Sequence, residues 1–267
     1  MRLWPAVDVT NPGVDSDLLL ALVDEFGPTA AEQLGDTFRI FFPTSTARDI
    51  AQAALGANHY STAAIDVGDE DWARRSQEDL GPITVGRITV YPGQQSPASS
   101  PFSIVILPSM GFGTGHHATT RLCLAALQDV DITGRVMLDV GTGSGILAIA
   151  ASMLGAAQAI GIDNDADAIQ AATDNVLLNP GARVSLRVGD LHAAKLPAAD
   201  IVTANLTGAL LQRSAAALTA LVAPGGILIV SGYLEDEREQ VREAFRALTT
   251  TWEREEQHWM GLAMKKP

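Results

Sequence analysis

The amino-acid sequence predicts an α/β protein, in which a small ferredoxin-like α+β domain precedes a seven-stranded, doubly wound (Rossmann-like) sheet. Two observations carry this prediction. Between residues 136 and 231, short apolar runs alternate with helical segments, as in parallel sheets whose helices cover both faces. Two adjacent strand patterns then predict a closing antiparallel hairpin. We expect three parts: a ferredoxin-like domain over residues 1–68, a connector and hairpin over 69–103, and the larger domain over 104–267.

The first 68 residues follow the order strand, helix, strand, strand, helix, strand. Alternating or short apolar runs predict the strands, and Gly35-Asp36 provides a turn between the second and third. Ser45 or Thr46 can cap the second helix. We expect strands at 3–9, 29–34, 38–42 and 60–67, and helices at 15–26 and 45–55. This order is typical of a ferredoxin-like sandwich.

A second hairpin is predicted between the two domains. Apolar residues over 83–91 and 103–107 have the pattern of strands, and a loop rich in proline and serine separates them. We expect these two strands to pair antiparallel at the mouth of the larger domain.

Acidic residues outnumber basic ones by 31 to 18, which gives a formal charge of −13 at pH 7. Such a charge disfavours direct binding to DNA and favours a basic partner. The excess is strong in residues 1–68, where nine acids accompany three arginines and lysine is absent. We expect this domain to dock a basic protein, and a solvated acidic face is the alternative.

Other features predict a soluble, cytoplasmic protein with no membrane segment. Pro5 and Asp8 interrupt the apolar core that a leader sequence needs. The longest apolar run, 145–162, has the composition of a buried helix followed by a strand. The single cysteine, Cys123, cannot form an internal disulfide, which fits a reducing compartment. We expect a monomer.

The central motif is L-D-V-G-T-G-S-G-I-L, which begins at Leu138 and joins an apolar strand to a helical segment. Gly141, Gly143 and Gly145 permit positive φ and close approach of a ligand at a helix N-terminus. A dinucleotide fingerprint has its third glycine one residue later, so a nicotinamide-dependent dehydrogenase is the weakest alternative. The pattern D-x-G-x-G-x-G is similar to motif I of S-adenosylmethionine-dependent methyltransferases. We therefore predict S-adenosylmethionine as the cofactor.

Acidic residues at the strand ends complete the predicted cofactor site. Asp139 suits the cationic amino-acid end of the cofactor. Asp163, at the end of the next strand, can accept hydrogen bonds from the ribose hydroxyls. Asp190, after the following strand, can contact the adenine amino group.

The segment 110–120, M-G-F-G-T-G-H-H-A-T-T, is predicted to form a lid over the ligand, because glycine and polar residues dominate it. Thr119 or Thr120 can cap the helix that follows, and either hydroxyl can face the cofactor. His116 and His117 are adjacent and point apart in most conformations, so we predict no metal site. One of the two histidines can orient a substrate amine, and we assign this role to His117.

The predicted catalytic landmark is A-N-L-T at the end of the fourth strand, the edge at which open α/β sheets place chemistry. Enzymes that methylate amino groups of nucleic-acid bases usually carry N/D-P-P-Y/F here, and the aromatic ring stacks the flipped base. Asn205 is present, but both prolines and the aromatic residue are missing. We therefore expect an amine that is not on a base, held by the Asn205 side chain and the Leu206 carbonyl oxygen.

Taken together, these motifs resemble the bacterial ribosomal protein L11 methyltransferase family. The similar stretches are F-G-T-G-H-H-A-T-T-R-L-C-L, L-D-V-G-T-G-S-G-I-L-A-I-A-A, A-N-L-T-G-A-L-L, D-W-A-R-R-S, V-G-R-I-T-V-Y-P and S-G-Y-L. The resemblance implies a ferredoxin-like domain that captures the ribosomal protein and a catalytic domain that methylates its lysine side chains and N-terminal amine. It also implies cofactor contacts from Thr120, Gly141, Asp163 and Asn205. The chain departs from the family where His116 and Ala118 replace Thr and Pro, and where N-L-T-G replaces N-I-L-A.

The predicted reaction is in-line transfer of the sulfonium methyl group to a neutral amine. A lysine side chain, with a pKa of about 10.4, is protonated at neutral pH, and burial near the sulfonium lowers that pKa. Because no strong general base is evident, we expect proximity and desolvation to dominate. The alternative functions are methylation of another protein, methylation of a small molecule, and nonenzymatic cofactor binding by an adaptor. The presence of Asn205 argues against the adaptor.

Overall fold

The structure, a computed structural model, describes residues 3–10, 16–68, 81–93, 102–107, 116–191 and 196–267. These residues divide into two compact units, one within residues 1–80 and one formed by residues 81–107 and 113–267. The predicted connector at 69–80 and most of the predicted lid, 110–115, lie outside the described residues.

The first unit is a four-stranded antiparallel sheet with two helices. Val7 and Val9 share a core with Leu19 and Leu55, one from each helix. The strand order is β2-β3-β1-β4. These elements are β1 (Leu3–Thr10), α1 (Ser16–Val23), β2 (Ala30–Leu34), β3 (Thr37–Phe41), α2 (Ser45–Ala57) and β4 (Thr62–Gly68). The ferredoxin-like prediction is confirmed.

One local expectation for the helices of this unit is wrong, and a second is refined. The N-cap of α2 is Thr44, whose hydroxyl accepts a hydrogen bond from the Ala47 N–H at 3.1 Å, so Ser45 and Thr46 lie inside the first turn. The helix expected over 15–26 becomes a 3-10 turn at Asp24–Phe26 and ends at Gly27. Neighbouring serine and threonine residues are equally competent caps, so the sequence alone does not choose between them.

A small three-stranded sheet begins the second unit. It contains β5 (Ile83–Val85), β6 (Ile88–Pro92) and β7 (Ser103–Ile106). The hairpin expected between 83–91 and 103–107 is wrong. Gly86, with φ of 56°, permits a two-residue turn, so β5 and β6 pair antiparallel with each other. Strand β7 then pairs parallel with β6.

A seven-stranded sheet with helices on both faces forms the rest of the second unit. Its strands are β8 (Val136–Val140), β9 (Gln158–Asp163), β10 (Val184–Val188), β11 (Ala199–Asn205), β12 (Val222–Leu234), β13 (Thr249–Glu256) and β14 (Trp259–Lys265). Its helices are α3 (Ala118–Asp129), α4 (Ile146–Met153), α5 (Ala166–Leu178), α6 (Gly208–Leu221) and α7 (Arg238–Ala244). The order is β10-β9-β8-β11-β12-β14-β13, with β14 antiparallel to both neighbours. This confirms the doubly wound sheet and its terminal hairpin.

The centre of this sheet positions the site. Alternate residues of β8 face two different cores: Met137 packs with α3 and α4, and Leu138 packs with α6 and α7. Strand β8 pairs in parallel with β11 although β9 and β10 intervene in the chain, so the strand order reverses here. Open α/β sheets bind ligands beyond the carboxyl ends of the strands at such a reversal.

The apolar run over 145–162 forms α4 and β9, as predicted. Within the described part of the chain, no helix is long and apolar enough to cross a membrane. Cys123 lies on α3 and is fully buried, and this burial raises the pKa of its thiol well above the usual value.

Candidate active site

The turn after β8 is built from three glycines in the left-handed region. Gly141, Gly143 and Gly145 have φ values of 70°, 52° and 80°, at which other residues are strained. Neighbours also leave little room for side chains. A Cβ at Gly141 would lie 2.6 Å from Leu206 Cδ2, and one at Gly145 would lie 3.1 Å from Ala172 Cβ. The turn therefore requires glycine and exposes its backbone to close approach.

Asp139 supports the turn from inside the protein. The residue is 1% exposed, and its carboxylate accepts hydrogen bonds from Thr142 Oγ1 at 2.7 Å and Thr203 Oγ1 at 2.5 Å. Burial raises the pKa of Asp139 to about 6, and the two hydroxyls oppose that shift. The threonines thus tie the turn to β11, a role that the sequence alone did not predict. Contact between Asp139 and the cofactor stays a prediction.

Asp163 stands at the end of β9, beside the turn. Its Oδ2 accepts a hydrogen bond from the Gly143 N–H at 2.9 Å, and its Oδ1 accepts one from the Asp165 N–H at 3.1 Å. The Gly189 N–H donates to the Asp163 carbonyl oxygen at 2.8 Å, which brings Asp190 to the same edge. Asp163 is partly exposed and Asp190 is exposed. Their predicted contacts with ribose and adenine stay predictions.

Asn205 meets Thr120 at the end of β11, and Leu206 follows it in the chain. Asn205 Nδ2 lies 3.5 Å from Thr120 Oγ1, a long hydrogen bond that joins two predicted site residues. The Leu206 side chain covers Gly141, so this group adjoins the glycine turn. The structure thus brings together predicted residues that lie far apart in the sequence.

The backbone of Leu206 is fixed from β12. Its N–H donates to the Ser231 carbonyl oxygen at 3.0 Å. Its own carbonyl lies against Gly232, where φ is 97° and an added Cβ would overlap that carbonyl. The sequence alone did not predict this support, although the adjacent Ser-Gly pair after an apolar strand was a visible signal. The Leu206 carbonyl as an acceptor for the amine stays a prediction.

His117 is the N-cap of α3, so the expectation that Thr119 or Thr120 caps this helix is wrong. His117 Nδ1 accepts a hydrogen bond from the Thr119 N–H at 3.4 Å, and the ring packs edge-on against Trp259 with 4.9 Å between centroids. Hydroxyls are the commoner caps, but both threonines are buried in the first turn. The catalytic role of His117 stays a prediction.

His116 has different partners. Its Nε2 donates to the Gly81 carbonyl oxygen at 2.9 Å, and its own carbonyl accepts a hydrogen bond from Arg121. The two histidines therefore do not share a ligand position. No group of three or more His, Cys, Asp or Glu side chains within the described residues could hold a metal.

The predicted residues form two adjoining groups at one edge of the sheet. One group is the glycine turn with Asp139, Asp163 and Asp190, and the other is Thr120, Asn205 and Leu206. A glycine cradle beside a partly exposed carboxylate fits the amino-acid and ribose parts of S-adenosylmethionine. The fold and the site define an S-adenosylmethionine-dependent methyltransferase.

Comparison with known proteins identifies the family. Residues 39–267 match the family described as ribosomal protein L11 methyltransferase (PrmA). The chain belongs to this family, as the motifs predicted.

Individual relatives agree with this membership. The chain is 37% identical over 235 residues to a ribosomal protein L11 methyltransferase of Deinococcus radiodurans, covering 84% of this chain and 83% of that one. It is 40% identical over 209 residues to the Pseudomonas paraeruginosa protein of the same name, with coverages of 75% and 69%. A crystal structure of ribosomal protein L11 methylase from Lactobacillus delbrueckii subsp. bulgaricus superposes with a TM-score of 0.63 at 26% identity, covering 70% of this chain and 99% of that chain.

Proposed function

We propose that this chain transfers methyl groups from S-adenosylmethionine to amino groups of ribosomal protein L11, at lysine side chains or the N-terminal amine. The observation that carries the proposal is the placement of Asn205, held by Thr120, beside the glycine turn. The sequence has a side-chain amide at this position but lacks the aromatic residue that follows it in enzymes that stack a flipped base. The names of the relatives support the same substrate.

The residues that would hold the cofactor lie along the glycine turn. Asp163 can accept hydrogen bonds from the ribose hydroxyls while it keeps the Gly143 N–H, because each carboxylate oxygen accepts more than one hydrogen bond. Asp190 is exposed at the same edge and can accept from the adenine amino group. When bound, S-adenosylmethionine supplies an electrophilic methyl group on a sulfonium.

The remaining task of the site is to hold the acceptor amine in its neutral form. A lysine ammonium, with a pKa of about 10.4, is disfavoured by burial, so it releases one proton to solvent before transfer. Asn205 and the Leu206 carbonyl can accept the remaining N–H groups, which directs the nitrogen lone pair towards the methyl group. Orientation and desolvation then supply the rate enhancement, and no general base is assigned.

The first unit supplies the docking surface in this proposal. The two arginines of this unit that the structure describes are paired within it: Arg39 contacts Asp8 and Glu32, and Arg48 contacts Asp49 and Asp66. Other acids of this unit, such as Glu25 and Asp36, are exposed outside these pairs and leave an acidic surface. A basic ribosomal protein is complementary to such a surface.

The reaction is tested with purified L11 and isotopically labelled S-adenosylmethionine. We expect intact-mass spectra of L11 to shift by whole methyl groups, and the Asn205→Ala variant to lose about 100-fold in kcat/KM. Gln158→Ala is the control, because it removes an exposed side-chain amide at the opposite edge of the sheet. Labelling of a small amine without labelling of L11 would show that the proposed substrate is wrong.

Docking of L11 on the acidic surface of the first unit is tested by measuring methylation kinetics at different ionic strengths. We expect KM for L11 to rise about tenfold between low and roughly physiological ionic strength, while the Kd of S-adenosylmethionine changes little. A KM that is independent of salt would contradict an electrostatic docking surface and leave methyl transfer itself unaffected.

A further inference from the structure

Helix α5 presents two buried asparagines to the backbone of β7. Asn175 and Asn179, the C-cap residue of α5, are 1% and 4% exposed. Asn179 bonds both backbone groups of Val105: its Oδ1 accepts from the N–H at 2.9 Å, and its Nδ2 donates to the carbonyl at 2.7 Å. Asn175 Oδ1 accepts from the Leu107 N–H at 2.8 Å. The two side chains thus form hydrogen bonds with the backbone of Val105 and Leu107, as a neighbouring strand would.

The spacing of the two elements explains this match. Four helical residues rise about 6 Å, and two strand residues rise about 6.6 Å. Side chains at i and i+4, here Asn175 on α5 and its C-cap Asn179, therefore meet backbone groups two residues apart, on β7 and on the residue directly after it. Residues 105 and 107 are such a pair.

Asn175 has a further partner inside the glycine turn. Its Nδ2 donates to the Ser144 carbonyl oxygen at 2.9 Å. The other end of the same peptide is also fixed, because the Gly145 N–H donates to the Thr142 carbonyl at 2.8 Å. One buried carboxamide therefore links the turn to β7.

A turn with three left-handed glycines needs such restraint. Glycine loses more backbone freedom on ordering than any other residue, and a site that must be ordered by its ligand binds that ligand more weakly. We propose that Asn175 is a positioning residue that increases the affinity for S-adenosylmethionine by holding the Ser144 carbonyl and so ordering the turn in advance. The proposal rests on the methyltransferase activity and not on L11, because cofactor binding is measured without any acceptor.

The test compares two matched variants by isothermal titration calorimetry. Asn175→Leu and Asn179→Leu both leave backbone groups of β7 unpaired, but only Asn175→Leu releases Ser144. We expect the Kd of S-adenosylmethionine to rise about tenfold in Asn175→Leu and less than about twofold in Asn179→Leu. Equal changes in both variants, or unchanged affinity in folded Asn175→Leu, would overturn the proposal.

A second pair of variants keeps the test decisive if the leucine variants fail to fold. Asn175→Asp retains an acceptor for the Leu107 N–H, but when ionised it has no donor for Ser144. A lower pH protonates the buried carboxyl and restores an O–H donor, so we expect the loss of affinity relative to wild type to shrink between about pH 8 and pH 6. Asn179→Asp should lack this trend, and a trend of equal size in both variants would contradict the role of Ser144.

A wild-type chain that binds the cofactor without methylating L11 would refute the proposed substrate alone.

Discussion

Two clusters of polar side chains, one around Arg39 in the first unit and one around Asp139 in the second, stabilise their acidic groups in different ways. In the first unit, Asp8 and Glu32 flank Arg39 across neighbouring strands, at 2.6 Å and 3.3 Å from the guanidinium. In the second unit, Asp139 is buried more deeply, and its hydrogen-bond donors include two threonine hydroxyls. Its pKa is raised to about 6 because burial disfavours its charge.

This difference shows what each group of acids stabilises. The paired carboxylates of the first unit hold a sheet together and leave an acidic surface around it. The carboxylate at Asp139 costs free energy at neutral pH, and it orders a turn that only glycines can form. Polar groups that contact the glycine turn should therefore affect ligand binding, and the ion pairs of the first unit should affect folding or docking.

Asp163→Ala should have the largest effect. It removes the acceptor of the Gly143 N–H together with the predicted ribose contacts, so we expect the Kd of S-adenosylmethionine to rise about 100-fold. Calorimetry measures the change. Asp165→Ala, which removes only the N-cap of α5, should cost about 1 kcal/mol of stability with little change in affinity. Normal binding by Asp163→Ala would show that the site is assigned wrongly.

Gly232→Ala should have the next largest effect. The new Cβ would overlap the Leu206 carbonyl and displace the backbone that carries Asn205, so we expect kcat to fall about tenfold or more. Gly225→Ala is a matched control on the same strand, since Gly225 also has positive φ but no atom within 4 Å of the added Cβ. Methylation kinetics of both variants measure the effect. Equal losses of kcat would mean that backbone strain, and not the position of Leu206, is responsible.

Arg39→Met should act on the first unit alone. Two partly buried acids lose their shared cation, so we expect the unfolding free energy of this unit to fall by about 2 kcal/mol. Arg48→Met should cost less than about 0.5 kcal/mol, because its partners Asp49 and Asp66 are 61% and 52% exposed. Hydrogen exchange in β1 to β4 measures both changes. A weaker affinity for S-adenosylmethionine in Arg39→Met would break the division between the units.

Asp139→Asn should have the smallest effect, and it should depend on pH. The folded pKa of about 6 exceeds the unfolded value of about 3.9, so the stability that Asp139 contributes is complete below pH 4 and is lost as pH rises through 6. Asparagine cannot ionise. The unfolding free energy of the variant minus that of the wild type should therefore grow by about 1 kcal/mol between about pH 5.5 and pH 7.5. Urea unfolding measures it, with Asp131→Asn as the control for removal of an exposed acid.

The sequence predicted the architecture because local patterns encode it. Alternation and helical periodicity located the strands and helices of both units. The spacing of Gly141, Gly143 and Gly145 predicted a turn with positive φ, and all three residues have it. Asp163 could be placed beside that turn because the ends of parallel strands meet at one edge of a sheet.

Contacts between distant residues could not be predicted in this way. Thr203 binds Asp139 across 64 residues, and Asn175 binds Leu107 across 68. A threonine in an apolar strand and two asparagines four residues apart are visible in the sequence, but each is equally compatible with exposure to solvent. The hairpin error has a local cause instead, since Gly86, with positive φ, allows β5 and β6 to pair with each other.

The buried thiol of Cys123 is a single site at which the rate of cysteine alkylation can report opening of the core. A thiolate is the species that alkylating reagents attack, and burial suppresses both its formation and its contact with the reagent. Because the chain contains no other cysteine, each alkylation event reports an opening of the core between α3 and the sheet. The alkylation rate therefore measures how often the catalytic unit opens, and its slowing by S-adenosylmethionine would give the ligand's stabilisation of the folded state.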